Sequence, residues 1–420
     1  MRTLAHGWRR VLDTYAVRRP HILLVACPGA TAVRIAVEGA VPRVGGRFAL
    51  TPADADILLV AGEPSDEMCW VVEALWEQMP GPRVRGRAVR PDGAVGVLQQ
   101  LVAELCGPGQ LRDAARRDDE WSERHKRAER SDEHHGHGEH QGHGERHGHG
   151  GEHGHGEGDE DSGMEMPGGL AMAGTAPDRD GLKLDVLHVP LGPVLPEWPA
   201  GLVVHAVLQG DVVQEAHGRV VASPDADGPV FWSAAGDHAA RRQRVAASYL
   251  DSLGRLLAVA GWEAAARRAR AFRDRAMAEL PDPALHEDFL RWRRRVEKSA
   301  LLHWSTDRVG VLSAEHAARL GVGGPAARAR APGDATARWR QWLTETDALL
   351  SGGSLPEDGP RGRPGPAGGP SQALLTAALE LMPGLDLAEA RLLAASFDPD
   401  PDEWVRPAWQ PSGRGEAAGR

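Results

Sequence analysis

Two uninterrupted apolar runs dominate the first quarter of the chain. HILLVAC (21–27) and DILLVAG (56–62) do not alternate between apolar and polar positions, which is typical of strands covered on both faces of a parallel sheet. Apolar positions at helical spacing follow, and they predict one helix from Met68 to Gln78 and another over 93–107. The alternation of strand and helix across 20–106 therefore predicts a small α/β domain.

The pattern changes beyond residue 181. Alternation and β-branched residues over 182–216 predict at least two strands, with QGD (209–211) as the hairpin turn between LVVHAVL and VVQEA. The period is then helical over 237–280 and 283–301, in a helix that ends at Gly352, and in a last pair over 371–396. The second half is therefore predicted to be an α+β domain, a short β-hairpin region plus a helical bundle.

Low-complexity segments separate these parts. The segment HHGHGEHQGHGERHGHGGEHGHGEGDEDSG (134–163) has no apolar residue, so it cannot bury a core and is predicted to be disordered. The predicted organisation is an α/β domain over 1–107, a charged and His-rich disordered linker over 108–180, a β region over 181–235, a helical bundle over 236–352, a Pro/Gly linker over 353–370, and C-terminal helices with a tail over 371–420.

Charge and cysteine content narrow the function classes. A formal net charge of −10 argues against a general nucleic-acid binder. The three cysteines are too few and too scattered for a disulfide framework, which favours a reducing cytoplasm. The first ten residues, MRTLAHGWRR, lack the apolar core of a signal peptide, and no run of about 18 apolar residues occurs. We therefore expect a cytoplasmic protein that meets a membrane only through partner subunits.

The segment 21–105 resembles the small iron–sulfur subunit of respiratory complex I and of membrane-bound NiFe hydrogenases. The similarity lies in Asp56 to Gly62, Ser65, Met68 and the terminator QMPGPR (78–83). In that family the first strand ends in a loop that carries two adjacent cysteines, and the second strand is followed by a helix that ends in a similar terminator. The resemblance implies an α/β fold built to hold an iron–sulfur cluster.

The segment 186–350 resembles the large subunit of the same complexes. VPLGPVLPEWPAGLVVHAVLQGDVV (189–213) is similar to its N-terminal β domain and 248–270 to its first bundle helix. The most specific similarity is that of 294–329 to a later region of the same subunit. LLAASFDPDPDEW (392–404) is similar to the hydrogenase-type C-terminal ending. Small-subunit and large-subunit similarity in one chain implies a fusion of the two.

The chain departs from the small-subunit pattern at the cluster. A [4Fe–4S] cluster takes four thiolates. Cys27 is a lone remnant of them, because Pro28 stands where the adjacent cysteine belongs and 84–92 is too short for the remaining cysteine loops. Cys69 and Cys106 are expected to be small buried thiols. No iron–sulfur cluster is therefore expected.

The large-subunit pattern is broken as well. Asp400 and Glu403 stand where the second C-x-x-C pair of the hydrogenases belongs, and hard oxygen donors do not replace bridging thiolates. Leu195 occupies the place of the quinone-site histidine in the turn GPVLP (192–196). His188, a few residues upstream, is either a substitute for it or an ordinary strand residue. No NiFe centre is expected, and no catalytic residue is assigned.

The linker contains a tract of nine histidines separated by Gly and Glu. Neutral imidazoles on a flexible chain can bind Ni²⁺ or Zn²⁺ with moderate affinity, so these residues are candidate metal ligands. The alternative is a polar spacer. The tract comprises His134, His135, His137, His140, His143, His147, His149, His153 and His155.

Three functions stay open on this basis. The first is a complex I or NiFe-hydrogenase-like (NADH–quinone oxidoreductase-type) subunit that lacks its own redox centres and acts as a scaffold or accessory subunit among the other subunits of such an assembly. The second is a His-rich accessory protein that buffers or delivers nickel or zinc. The third is a quinone-binding oxidoreductase subunit with an altered pocket.

Overall fold

The computed structural model describes residues 19–107, 109–110, 116, 175–177, 183–222, 230–233, 236–278, 280, 282–363 and 369–404. The predicted disordered tract, with all nine of its histidines, lies outside the described residues.

The first domain is a parallel sheet with helices, as predicted. Strand β1 (His21–Ala26) pairs with β3 (Ile57–Ala61) from Ile22↔Ile57 to Ala26↔Ala61, and the sheet order is β2–β1–β3–β4. All five residues of β3 are buried, which explains its uninterrupted apolar run. The other elements are β2 (Arg47–Phe48), β4 (Val84–Ala88), α1 (Thr31–Ala40), α2 (Asp66–Gln78) and α3 (Ala94–Leu105).

The sequence pattern does not predict strand β4, because it is an edge strand with one solvent-exposed face. Val84 and Ala88 are buried, whereas Arg85 and Arg87 are exposed and form ion pairs with Glu73 and Glu63 of the neighbouring segment. Only two apolar positions in five carry a strand signal, and the central Gly86 weakens it.

The second domain begins with an antiparallel sheet in the order β5–β6–β7–β8. The hairpin turn predicted at 209–211 is confirmed, with Gly210 and Asp211 between β7 and β8. The strands are β5 (Thr175–Pro177), β6 (Lys183–Leu191), β7 (Leu202–Gln209) and β8 (Val212–Val220). The helices are α4 (His238–Val259), α5 (Glu263–Ala276), α6 (Leu285–Glu297), α7 (Ala300–Thr306), α8 (Ala314–Leu320), α9 (Gly324–Arg328), α10 (Ala335–Leu350), α11 (Gly369–Leu381) and α12 (Leu387–Phe397).

Helix α4 is the centre of the bundle. Every residue from Val245 to Leu257 is buried, because α5, α10 and α12 pack around the helix. This run includes polar residues such as Asp251 and Arg255, which a helix buried on all sides can hold only if other elements supply partners. Charged residues that are far apart in the sequence therefore pair around α4.

The two domains share their cores. Val203 and Val221 of the second domain belong to the buried cluster of the first. In return, Ile35 of α1 packs against the core of the helical bundle. Residue Arg219 of β8 also donates to Glu67 of α2. The halves are therefore packed against each other within one chain.

The expectation that Cys69 and Cys106 are buried thiols is wrong for both. Cys27 is buried, but Cys69 and Cys106 are exposed. Helix α2 buries Met68, and the next residue points about 100° away from that face. Cys106 follows Leu105, the last buried residue of α3, at the exposed helix end.

None of the helices among the described residues is both long enough and apolar enough to cross a membrane.

Candidate ligand pocket between the two domains

Three segments that the sequence singles out meet between the two domains. The loop after β1 places Gly29 so that its backbone N–H donates to Asp402 Oδ1 at 3.0 Å. Pro28 packs against Gly201, where an added Cβ would lie 2.4 Å from Pro28 Cγ. Cys27, Leu195 and Pro401 line one pocket, so the cysteine loop, the turn at 192–196 and the C-terminal segment at 398–403 are neighbours. We call this place the junction.

The turn at 192–196 is held in place by close backbone contacts. Gly192 has φ +95°, and a Cβ at this position would lie 2.0 Å from the carbonyl oxygen of Leu202. The Trp198 indole donates from Nε1 to the same oxygen at 2.7 Å. Glycine is required where the backbone approaches this closely with positive φ. The turn therefore presents Leu195 in a fixed position.

A pocket of about 380 Å³ opens at the junction. Its volume is in the range that accommodates a small organic molecule. One part of its wall is apolar and the other is charged. The apolar part includes Leu23, Leu24, Cys27, Phe48, Leu50, Leu75, Val194, Leu195 and Trp198, and the charged part is formed by Arg34, Glu38, Glu197, Arg255 and Arg270.

A buried carboxylate organises the charged wall. Asp251, which is 1% exposed, accepts hydrogen bonds from Arg34 at 2.7 Å, Arg273 at 2.7 Å and Arg255 at 3.1 Å. Burial raises the pKa of Asp251, but the charges of these three arginines outweigh it and hold that pKa well below its usual range. Asp251 is therefore an anion that joins α1 of the first domain to α4 and α5 of the second.

Glu38 of α1 completes this network. It accepts hydrogen bonds from Arg34 at 2.5 Å and from Arg273 at 2.6 Å. Burial raises the pKa of Glu38, and the Arg34 and Arg273 charges lower it to about 2. Nearby, Arg270 forms an ion pair with Glu197 at 2.5 Å. Each arginine of the charged wall thus has a carboxylate partner.

The C-terminal segment adds four further acids, Asp398, Asp400, Asp402 and Glu403. Asp398 accepts hydrogen bonds from Arg255 at 2.8 Å and from Arg361 at 2.5 Å. Asp400 is 3% exposed, and its Oδ2 has no hydrogen-bond partner among the described residues. Burial, together with the charge of Asp402, raises the pKa of Asp400 well above its usual range. Glu403 accepts a hydrogen bond from the Ser371 backbone N–H at 2.8 Å.

The residues at the junction do not fit the metal centres that the resemblance implies. Cys27 is the one described cysteine that lines the pocket, while Cys69 and Cys106 are exposed on α2 and at the end of α3. Asp400 and Glu403 present carboxyl groups whose pKa values burial raises, unlike thiolates that bridge soft metals. Across the described residues, no group of three His, Cys, Asp or Glu side chains is arranged to hold a metal ion.

The remaining candidates from the sequence have clear positions. Leu195 lines the pocket. His188 is exposed on β6 opposite Val207 and is not part of the described pocket wall, so the structure does not bring it to the junction.

Sequence reasoning missed the charged wall. Arg34 and Asp251 are 217 residues apart, and nothing in the local pattern connects them. The available signal was the Asp251–Arg255 pair at i,i+4 within a helical stretch, 245–257, that carries no other charge. That pair indicates a buried polar group but not its partner.

Comparisons with known proteins do not assign the chain to a family. No protein-family model matches the chain, and no curated protein matches its sequence. Among solved structures, a chain of the membrane-bound sulfane sulfur reductase, an archaeal respiratory membrane complex, is similar with a TM-score of 0.37 and 15% identity, over 53% of this chain and 99% of that chain. A likeness at this level does not establish a family.

Proposed function

We propose that this chain is a subunit of a complex I or NiFe-hydrogenase-type assembly that has lost its own redox centres and acts as a scaffold or accessory subunit. One observation carries the proposal. The three segments that the resemblance links to the cluster loop, the quinone turn and the C-terminal metal pair are far apart in sequence, yet they meet at one junction.

The contacts at the junction suit a scaffold. Where the family would hold a cluster, Pro28 packs on Gly201 and Asp402 accepts from the Gly29 backbone. Two residues before Asp400, which stands in the place of the second C-x-x-C pair, Asp398 accepts hydrogen bonds from Arg255 and Arg361. The packing of Pro28 on Gly201 and the Arg34–Asp251 ion pair join the two domains here. In the assembly, the chain would lie on the inner face of the membrane through its partner subunits.

Affinity purification from the native host tests this role. Co-purifying chains should include membrane-embedded subunits of a complex I or hydrogenase-type assembly, and these should remain bound in detergent. A chain that purifies alone from both the membrane and the soluble fraction would contradict the proposal.

The cofactor content gives a separate test. Because Cys27 supplies one thiolate of the four that a [4Fe–4S] cluster takes, anaerobically purified protein should contain neither stoichiometric iron nor sulfide. The measurement is iron and sulfide analysis of the wild type beside Cys27→Ser. Stoichiometric iron and sulfide in the wild type that disappear in Cys27→Ser would overturn the loss of redox centres.

The junction pocket favours quinone binding as a second candidate function, because its apolar wall adjoins the turn that carries Leu195. Leu195→Trp should fill the pocket and weaken binding of a short-chain quinone at least about tenfold, which corresponds to about 1.4 kcal/mol. Calorimetric titration measures this effect. Val311→Trp, at an exposed position outside the pocket wall, is the control. Equal affinity of both variants would exclude the junction as a quinone site.

Metal buffering by the histidine tract remains a further proposal, supported by nine imidazoles between His134 and His155. Deleting 134–155 should abolish Ni²⁺ and Zn²⁺ binding while thermal unfolding stays nearly unchanged, because the segment has no apolar residue to contribute to a core. Binding to the intact chain should weaken between about pH 7.5 and about pH 5.5, since only neutral imidazole binds metal and its pKa is about 6.5. Undiminished metal uptake in the deletion variant, measured by calorimetry, would make the tract a spacer.

A further inference from the structure

A second groove lies on the helical bundle between α5 and α6. Its volume is about 370 Å³, and it shares no lining residue with the junction pocket. Arg268 lines this groove, whereas Arg270 lines the junction pocket. Two residues along a helix correspond to a rotation of about 200°, so the two cavities lie on opposite faces of α5.

Two indole rings form the apolar part of the groove. Trp262, just before α5, and Trp292 of α6 both line it. Trp292 is held rigidly because its ring packs against Phe272 and Phe289, with centroid distances of 5.7 and 5.8 Å. A flat, rigid aromatic surface of this kind favours another planar ring as its ligand.

The charged part of the groove is basic. Arg268, Arg291 and Arg295 line it together with Asp288. Asp288 is already paired with Arg275 and Arg291, and the described residues offer Arg268 and Arg295 no carboxylate. Arg268 instead lies over the Phe272 ring at 5.1 Å. In a chain of net charge −10, two arginines without counter-charges at one groove indicate an anionic ligand.

The indole of Trp292 supports the same interpretation. The residue is 8% exposed, and its Nε1 has no hydrogen-bond partner among the described residues. A buried donor without an acceptor is unfavourable. The oxygen atoms of an acidic ligand bound in the groove could accept a hydrogen bond from this N–H.

We propose that the groove between α5 and α6 binds a small planar aromatic anion. Its ring lies against the indoles of Trp262 and Trp292, and its carboxylate, sulfonate or phosphate group is bound by Arg268 and Arg295. The volume is within the range of small-molecule sites, and the guanidinium groups add attraction to the ring face as well as to the acid.

Calorimetric titration of the full chain with naphthalene-2-sulfonate tests the proposal, with 2-naphthol as the uncharged probe. The sulfonate should bind at one saturable site, and 2-naphthol should bind at least about tenfold more weakly. Arg268→Gln combined with Arg295→Gln should weaken sulfonate binding about tenfold, as expected for two partly exposed ion pairs. Trp292→Phe keeps an aromatic ring but removes the N–H and should weaken binding about fivefold.

The matched control is Arg267→Gln combined with Arg294→Gln. These exposed arginines lie on the same two helices, directly beside Arg268 and Arg295, but do not line the groove. The control therefore removes the same charge and should leave the affinity unchanged. The proposal fails if the sulfonate does not saturate at millimolar concentration, if both double variants weaken binding equally, or if the Arg268/Arg295 variant binds like the wild type.

Discussion

Replacing Asp251 by asparagine should lower the free energy of unfolding by about 3–5 kcal/mol, the range for breaking a buried ion pair from one side. Asparagine preserves the shape of the side chain but removes the charge, which leaves Arg34, Arg255 and Arg273 with less compensation inside the protein. Arg34 belongs to the first domain and the other two to the second, so the variant should also loosen the junction. Chemical denaturation at neutral pH measures the loss.

Glu263→Gln is the control for this variant. Glu263 also faces two arginines, Arg267 and Arg270, but its side chain is 55% exposed, so its removal should cost at most about 1 kcal/mol. Similar losses in both variants would mean that the Asp251 network does not hold the junction.

The loss should also depend on pH in a defined direction. Asp251 and Glu38 have lowered pKa values in the folded state. Their contribution to stability is present above the unfolded-state pKa, about 4, and is lost as pH falls through the folded-state pKa, about 2 for Glu38. The difference in unfolding free energy between wild type and Asp251→Asn should therefore shrink as pH decreases from about 5 towards about 2. A difference that grows on acidification would contradict the assigned charges.

Gly192→Ala should be comparably severe, with an expected loss of about 3–5 kcal/mol from backbone strain together with overpacking. The residue has φ +95°, and its Cβ would lie 2.0 Å from the Leu202 carbonyl oxygen and 2.8 Å from Trp198 Nε1. Because neither the backbone oxygen nor the hydrogen-bonded indole can move freely, the turn itself must shift. Thermal or chemical denaturation should reveal this loss, and Leu195 should be displaced from the junction.

Gly210→Ala separates strain from overpacking. Gly210 also has a positive φ, +63°, but a Cβ there would have no heavy atom within 4 Å. Only the cost of the left-handed conformation remains, about 1 kcal/mol. If both alanine variants lose the same stability, the close approach at Gly192 is not what fixes the turn.

The sequence alone predicts that an α/β domain comes first along the chain and that a β-hairpin region with a helical bundle follows. The apolar runs of β1 and β3 predict strands buried on both faces, and the turn residues Gly210 and Asp211 predict a hairpin. Both predictions succeed because side-chain periodicity and turn chemistry are local properties. The resemblance also singled out the three segments that meet at the junction. The strand and turn inferences need only neighbours within a few residues along the chain.

Tertiary structure alone decides which distant groups become partners. Arg34 looks like an ordinary surface charge in sequence, and nothing in the local pattern marks it as the partner of Asp251. Packing nevertheless buries both residues, and each compensates the charge of the other. In the opposite direction, Cys69 lies in an apolar stretch but is exposed, because α2 buries a narrower face than its composition suggests. Local sequence patterns show whether a segment forms a helix or a strand and which of its faces is apolar. Which segment packs against that face depends on contacts that form only on folding.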